Sequence, residues 1–201
     1  MSEQSSTPGR APLIAAFLAG LVVVLVGVLA AATYLPSRSP TPLGAIGGAF
    51  RLEDQSGAPV TEQDIKGRPN LVFFGYTHCP DVCPATLFEI SEVMKALGRD
   101  ADRAGALFIT VDPERDTPAV LKDYLSNFDP HLRGLTGDPA AVAAALKAYR
   151  VYAKKVPLDG GDYTMDHTAV VYLMDKDGRF VAPFNLKQTP EAAAAQLRMY
   201  L

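Results

Sequence analysis

An unbroken apolar run, Asn70 to Tyr76 (NLVFFGY), leads almost directly into the only two cysteines of the chain, Cys79 and Cys83. A run of that length without polar alternation predicts a strand covered on both faces, which belongs inside a layered sheet. After the cysteines, Leu87, Ile90, Met94 and Leu97 recur at helical spacing. Pro84 to about Gly98 therefore reads as an amphipathic helix. Proline disfavours a helical conformation in the residue before it, so Cys83 is expected as the cap and Pro84 as the first helical residue. Both sulfurs then stand near a helix N-terminus, whose partial positive charge favours thiolates.

The rest of the chain repeats this grammar. Phe50 to Val60 (FRLEDQSGAPV) alternates about a Ser56-Gly57 turn and predicts a short hairpin, and Ala106 to Val111 (ALFITV) predicts a second buried strand. Three further helices begin at Thr117-Pro118, Asp138-Pro139 and Thr189-Pro190. Each pairs a capping oxygen with a proline whose missing N–H costs nothing at the first helical position. Thr168 to Met174 (TAVVYLM), a turn at Asp175 to Gly178, and Arg179 to Phe184 predict a hairpin of one buried and one outer strand. A βαβ unit followed by a ββα unit is the thioredoxin plan. The expected fold is thus α/β, a central mixed sheet flanked by helices, with an N-terminal hairpin extension. In that plan the cysteines fall after the first central strand, at the mouth of the next helix.

Leu13 to Leu35 carries no charge. As a helix it would extend roughly 33 Å, enough to cross a bilayer core and longer than a secretory h-region. A transmembrane helix is therefore expected at 13–35. It would follow a short cytoplasmic tail at 1–12 and precede a Pro/Ser/Gly-rich linker at 36–48 and a single domain at 49–201. This organisation implies a single-pass protein of a bacterial inner membrane or its equivalent, with the domain facing the periplasm. The formal net charge is −3, and no basic run follows the linker. That argues against a nucleic-acid partner, which needs clustered Lys and Arg.

A disulfide closing so short a loop would remove little unfolded-state entropy, so a purely structural bridge is the weaker reading of the cysteines. There are three histidines, His78, His131 and His167. His167 immediately precedes the buried strand expected from Thr168, and in the thioredoxin plan that loop faces the cysteine pair. His78 is a second choice and His131 reads as a solvated loop residue. Two thiolates and one imidazole make a soft, three-ligand site without the fourth ligand of structural zinc. Softness and low coordination number favour Cu(I), with Cu(II) admitted if a further ligand joins.

Three motifs now stand in order: GYTHCPDVCP (Gly75 to Pro84), TVDPERDTP (Thr110 to Pro118) and DYTMDHTAVVYLMDKDGRF (Asp162 to Phe180). Together they closely resemble the Sco/SenC family of membrane-anchored copper proteins involved in assembling the CuA centre of cytochrome c oxidase. The resemblance implies copper ligation by Cys79, Cys83 and His167 on a thioredoxin-like fold. It also implies a copper chaperone whose acceptor is the copper-bearing oxidase subunit, served by an upstream copper donor and a thiol reductant. The alternative is a thiol–disulfide reductase that cycles Cys79 and Cys83 between dithiol and disulfide without metal. Asp112, Glu114 and Asp116 of the middle motif are left outside the expected site, Asp116 being read as support for the helix start at Thr117.

Overall fold

In a computed structural model the described residues are 46–201, together with Gly20, Leu21 and 24–26. Two compact units divide the chain, Met1–Thr41 and Pro42–Leu201. The expected transmembrane helix at 13–35 lies largely outside the described residues; the five that are described are helical. Among the described residues no helix is long and apolar enough to cross a membrane. The transmembrane anchor, and the inner-membrane location drawn from it, are corrected accordingly. Apolar length in a sequence permits a span, but only a helix long enough to satisfy its own backbone across the bilayer makes one.

The second unit opens with the expected hairpin, β1 (Arg51–Asp54) and β2 (Pro59–Thr61), paired antiparallel with Leu52 opposite Val60. Asp54 builds its turn by accepting from the Ser56 N–H at 2.9 Å and the Ala58 N–H at 3.0 Å. β3 (Asn70–Gly75) and β4 (Gly105–Thr110) are buried at every position, as their apolar runs require, and pair in parallel. Between them lie α1 (Val82–Leu97) and a 3-10 turn (Gly98–Arg103). α2 (Pro118–Leu125) is followed by β5 (Leu132–Thr136), then by α3 (Pro139–Tyr149). β6 (Ala153–Pro157) and β7 (Tyr163–His167) form a separate two-stranded sheet. β8 (Val171–Met174), β9 (Phe180–Pro183) and α4 (Pro190–Arg198) complete the domain.

The main sheet runs β2-β1-β5-β4-β3-β8-β9. β3, β4 and β5 are parallel and their neighbours antiparallel, which is the thioredoxin-like arrangement of a mixed sheet flanked by helices. Phe73, Phe74, Phe108 and Tyr149 are among its fully buried side chains. The three Pro-led helices start as their sequences indicate. Thr117 accepts from the Val120 N–H, Asp138 from Ala140 and Ala141, and Thr189 from Ala192.

Three elements differ from expectation. β5 was not expected, because Arg133 and Gly134 interrupt its apolar run; parallel pairing with β4 imposes the strand. Gly134 is needed there, since a Cβ would stand 2.6 Å from Leu125. The segment before Thr168 is strand rather than loop, because β7 finds a partner in β6. At α1 the cap is Asp81, and Cys83 is already helical. Pro84 costs no hydrogen bond because it sits in the first turn, where N–H groups have no intrahelical acceptor.

Asp54 also ties the hairpin to the sheet through Arg133, whose Nη2 donates to Oδ2 at 2.7 Å. Burial pushes the Asp54 carboxyl up, but hydrogen bonds from Ser56, Arg133 and Ala58 outweigh it and hold the pKa at about 2. A depressed carboxylate stabilises the fold above its unfolded value near 3.8, and that stabilisation is lost as pH falls through about 2. Asp54→Asn is expected to cost on the order of 1 kcal/mol at neutral pH, after allowance for solvent screening. Denaturant titrations should show the cost disappearing near pH 2, whereas a pH-independent difference would deny the carboxylate this role.

Candidate metal centre

The parallel register sets Gly75 beside Thr110, so the first two motifs leave the sheet from the same end. The Val111 N–H donates back to the Gly75 carbonyl at 2.8 Å and keeps the two exits together. Cys83, on the first turn of α1, is fully buried against this end of β3. Gly75 makes room for it: a Cβ there would lie 2.8 Å from the Cys83 sulfur and 2.7 Å from the Phe108 ring.

Both cysteines are free thiols, Cys79 half-buried and Cys83 buried. The Cys79 sulfur accepts from the Cys83 N–H at 3.4 Å. Asp81 makes no side-chain cap, so this sulfur takes the place of a capping oxygen on an otherwise orphan donor of α1. The expectation that the helix start favours both thiolates fails at Cys83. Burial there, only partly offset by a hydrogen bond from the Tyr76 backbone, pushes the thiol well above its ordinary range.

His167 ends β7 and reaches Cys83 from the other side, with Nε2 3.7 Å from Sγ. Its Nδ1 lies 3.1 Å from the Thr168 carbonyl, which can only accept, so Nδ1 carries the proton and Nε2 presents its lone pair to the sulfur. The Tyr76 ring stands edge-on to the imidazole at 5.8 Å between centroids, and the Tyr76 hydroxyl bonds Thr164 Oγ1 at 2.7 Å. Of the three expected ligands, Cys83 and His167 are thus in contact, and the Cys79 sulfur lies beside Cys83, accepting its N–H and interacting with its thiol.

Copper ligation by Cys79, Cys83 and His167 was expected, but the structure does not gather them into a metal-binding cluster. Among the described residues no group of three or more His, Cys, Asp or Glu side chains is gathered to hold a metal ion. The contacts present are pairwise: the Cys79 sulfur takes the Cys83 N–H at the helix start, and His167 meets Cys83 alone. The remaining histidines stand apart. His78 is exposed and its Nδ1 contacts its neighbour Thr77 at 3.1 Å. His131 precedes β5 at the opposite end of the parallel strands, with Nδ1 2.6 Å from Asp129 and Nε2 3.1 Å from Asp102.

Sequence reading missed the middle motif. Asp116 does not cap α2 through its side chain. Its buried carboxylate accepts from the Thr77 hydroxyl at 2.6 Å, the Thr77 N–H at 3.1 Å and the Thr110 hydroxyl at 2.6 Å. Burial raises its pKa above the usual carboxylate range, with the threonine bonds opposing. It fastens the loop that leads to Cys79 onto the end of β4. Its clue in the sequence was the polar Thr110 closing an apolar strand. Asp112 and Glu114 also reach across, to Tyr163 and Lys155 of the His167 hairpin.

Asp116→Ala would strand three donors in a buried setting and is expected to destabilise the domain by about 2–4 kcal/mol. Alkylation of Cys79 should also accelerate as its loop loosens. Unchanged stability in a denaturant titration would show that the carboxylate is dispensable.

The SCO1/SenC family model matches residues 38–201. A "SCO2-like protein" of Rickettsia felis is 35% identical over 184 residues, spanning 85% of this chain and 90% of its own. Among solved structures, Bradyrhizobium japonicum ScoI with copper bound is 69% identical, with a TM-score of 0.77 over 78% of this chain and 100% of its own. BsSco, described as having a disulfide switch and as a member of the Sco family of cytochrome c oxidase assembly proteins, is 25% identical. Its TM-score is 0.62 over 78% of this chain and 94% of its own. With the family model matched along most of its length and the cysteine and histidine motifs folded onto one end of a thioredoxin-like sheet, the chain belongs to the SCO1/SenC family.

Proposed function

We propose that this protein is a copper-binding protein of the Sco/SenC type that takes copper between Cys79, Cys83 and His167. Copper is its cofactor, and solved relatives carry it. The observation that carries the ligand assignment is the approach of His167 Nε2 to Cys83 Sγ at 3.7 Å, with Nδ1 already engaged by the Thr168 carbonyl. An imidazole held this way has its free lone pair directed at a thiol, as metal-ligating histidines usually do. The donor set fits a soft metal: two sulfurs and one nitrogen, with Cys79 half-exposed on the solvent side and Cys83 walled in by Gly75 and Phe108. Bound copper would supply a polarisable centre that holds both sulfurs as thiolates and excludes a disulfide between them.

The protein's own residues do the rest. Cys83 must give up its thiol proton in a buried setting that resists the charge. Cys79 would supply the second thiolate, and its sulfur can keep the Cys83 N–H while it does so. In this reading the copper-bearing subunit of cytochrome c oxidase is the acceptor, with a separate copper donor and a thiol reductant upstream. The support is the family's association with copper handling and oxidase assembly. Membrane-anchored delivery from a preformed cluster forms no part of it.

One observation favours the thiol–disulfide reading as a second activity. An accessible Cys79 sulfur sits one helical turn from a buried partner. As a reductase, Cys79 thiolate would attack an acceptor disulfide, releasing one acceptor thiolate and forming a mixed disulfide. Cys83, giving its proton to that thiolate or to solvent, would then attack the Cys79 sulfur and release the second acceptor thiolate, leaving a Cys79–Cys83 disulfide and a reduced acceptor, two electrons in all.

His167→Ala separates the two. It is expected to leave the fold and the dithiol–disulfide cycle intact while lowering copper affinity about 10–100-fold. Cys83→Ser should abolish both. Competition with a Cu(I) chelator and thiol titration of the same samples read the two properties independently. A His167→Ala protein that keeps wild-type copper affinity would remove the histidine from the site. Cells that assemble oxidase normally with it, but not with Cys79→Ser, would leave the reductase as the working activity.

A further inference from the structure

The hairpin that carries His167 belongs to neither edge of the main sheet, because β6 and β7 pair only with each other. Nearly all of β6 is exposed, and within β7 only Met165 is buried. Apolar burial therefore gives this hairpin little purchase on the domain. Along a strand, positions two apart share a face, so Tyr163, Met165 and His167 point the same way. Tyr163 lies about 13 Å from His167 at the ordinary strand rise.

The TVDPERDTP loop holds the hairpin at that far end. The Tyr163 hydroxyl donates to Asp112 Oδ1 at 2.8 Å. Arg115 donates through Nε to Asp112 Oδ2, and through Nη1 to the Tyr163 carbonyl at 3.0 Å and to Asp162 Oδ1 at 3.1 Å. Its guanidinium lies over the Tyr163 ring at 3.7 Å, with the Tyr76 ring 5.9 Å away. The Asp112 side chain is 0% exposed and that of Arg115 is 17% exposed, so this is not a solvated surface pair. A carboxylate so enclosed needs its guanidinium, and a planar fork can serve the carboxylate and the hairpin backbone at once. The Arg115 Nη2, buried beside these groups, has no hydrogen-bond partner, so stacking and the other two nitrogens account for the hold.

We infer that Asp112, Arg115 and Tyr163 form a latch that sets the position of His167, making Arg115 a positioning residue for the imidazole ligand although it touches neither cysteine. The inference rests on the copper reading above. Motion at Tyr163 is carried down a short strand, with Met165 as its one buried pivot, to the imidazole at the other end. The latch therefore governs how much of the time Nε2 faces Cys83. The cysteine pair is held by α1, β3 and the Asp116 bonds to Thr77, none of which the latch side chains make.

The test uses the full chain with Arg115→Ala, Arg115→Lys and Tyr163→Phe, each also combined with His167→Ala. Arg115→Ala is expected to weaken Cu(I) binding about 10–100-fold in chelator competition, Arg115→Lys and Tyr163→Phe by less. The Cys79/Cys83 reduction potential should stay at its wild-type value in all of them. In the metal-free protein, amides of 153–167 should exchange faster. In the His167→Ala background, none of the three changes should weaken copper further, because the latch acts only through the histidine. Arg115→Lys and Tyr163→Phe keep the test decisive if Arg115→Ala does not fold. Wild-type affinity in both conservative variants, or an equal further loss in the His167→Ala background, overturns the latch. If His167→Ala itself binds copper as the wild type does, the ligand reading falls first and the latch's role with it. A histidine that matters while both conservative variants do not would sink this inference alone.

Discussion

Everything at the proposed site depends on the in-register parallel pairing of β3 and β4. Their last residues, Gly75 and Thr110, are partners, so two loops leave one edge side by side. Without that pairing the middle motif would have nothing to hold. With it, Asp116 reaches Thr77 on one loop and Thr110 on the strand beneath, a bond network buried enough to raise the carboxyl's pKa. Three donors on one carboxylate offset part of the desolvation cost, more than a single bond would. The loop to Cys79 is therefore positioned from a neighbouring strand as well as by its own sequence.

The same middle motif faces two ways. Asp116 serves the cysteine loop, while Asp112 and Arg115 serve the hairpin that carries His167. Proposed ligands from the first and third motifs are thus brought into register by residues that ligate nothing. This explains why an acidic, arginine-bearing loop accompanies a soft-metal motif whose chemistry has no use for carboxylates.

What could be read from the sequence was whatever local physics decides. The Pro-led caps at Thr117, Asp138 and Thr189 were legible, because each cap and its proline are adjacent and act within one turn. The all-buried strands were legible as apolar runs, but the last begins at Val171 and not at Thr168, and His167 ends β7. Elements decided by distant partners were not. β5 contains Arg133 and Gly134 and becomes a strand through β4, with Arg133 satisfied by Asp54 far away in the chain. β6 and β7 are polar strands defined by each other, and the bond between Asp116 and Thr77 spans 39 positions. The cap of α1 was misplaced because a rule about residues before proline was applied in a first turn, where the helix has no hydrogen bond to lose.

The two thiols reach their states by opposite routes, and the difference bears on any metal they share. Cys83 is buried and its charge is disfavoured, whereas Cys79 is half-exposed with its sulfur on a helix-start N–H. Of the two, Cys83 is the one whose burial opposes a thiolate. The buried one becomes a good donor when a cation arrives to offset its charge. His167, with Nδ1 on the Thr168 carbonyl, already lies against Cys83 through Nε2. Burial alone orders the pair: Cys79 is the half-buried sulfur, and Cys83, against His167, is the inner one.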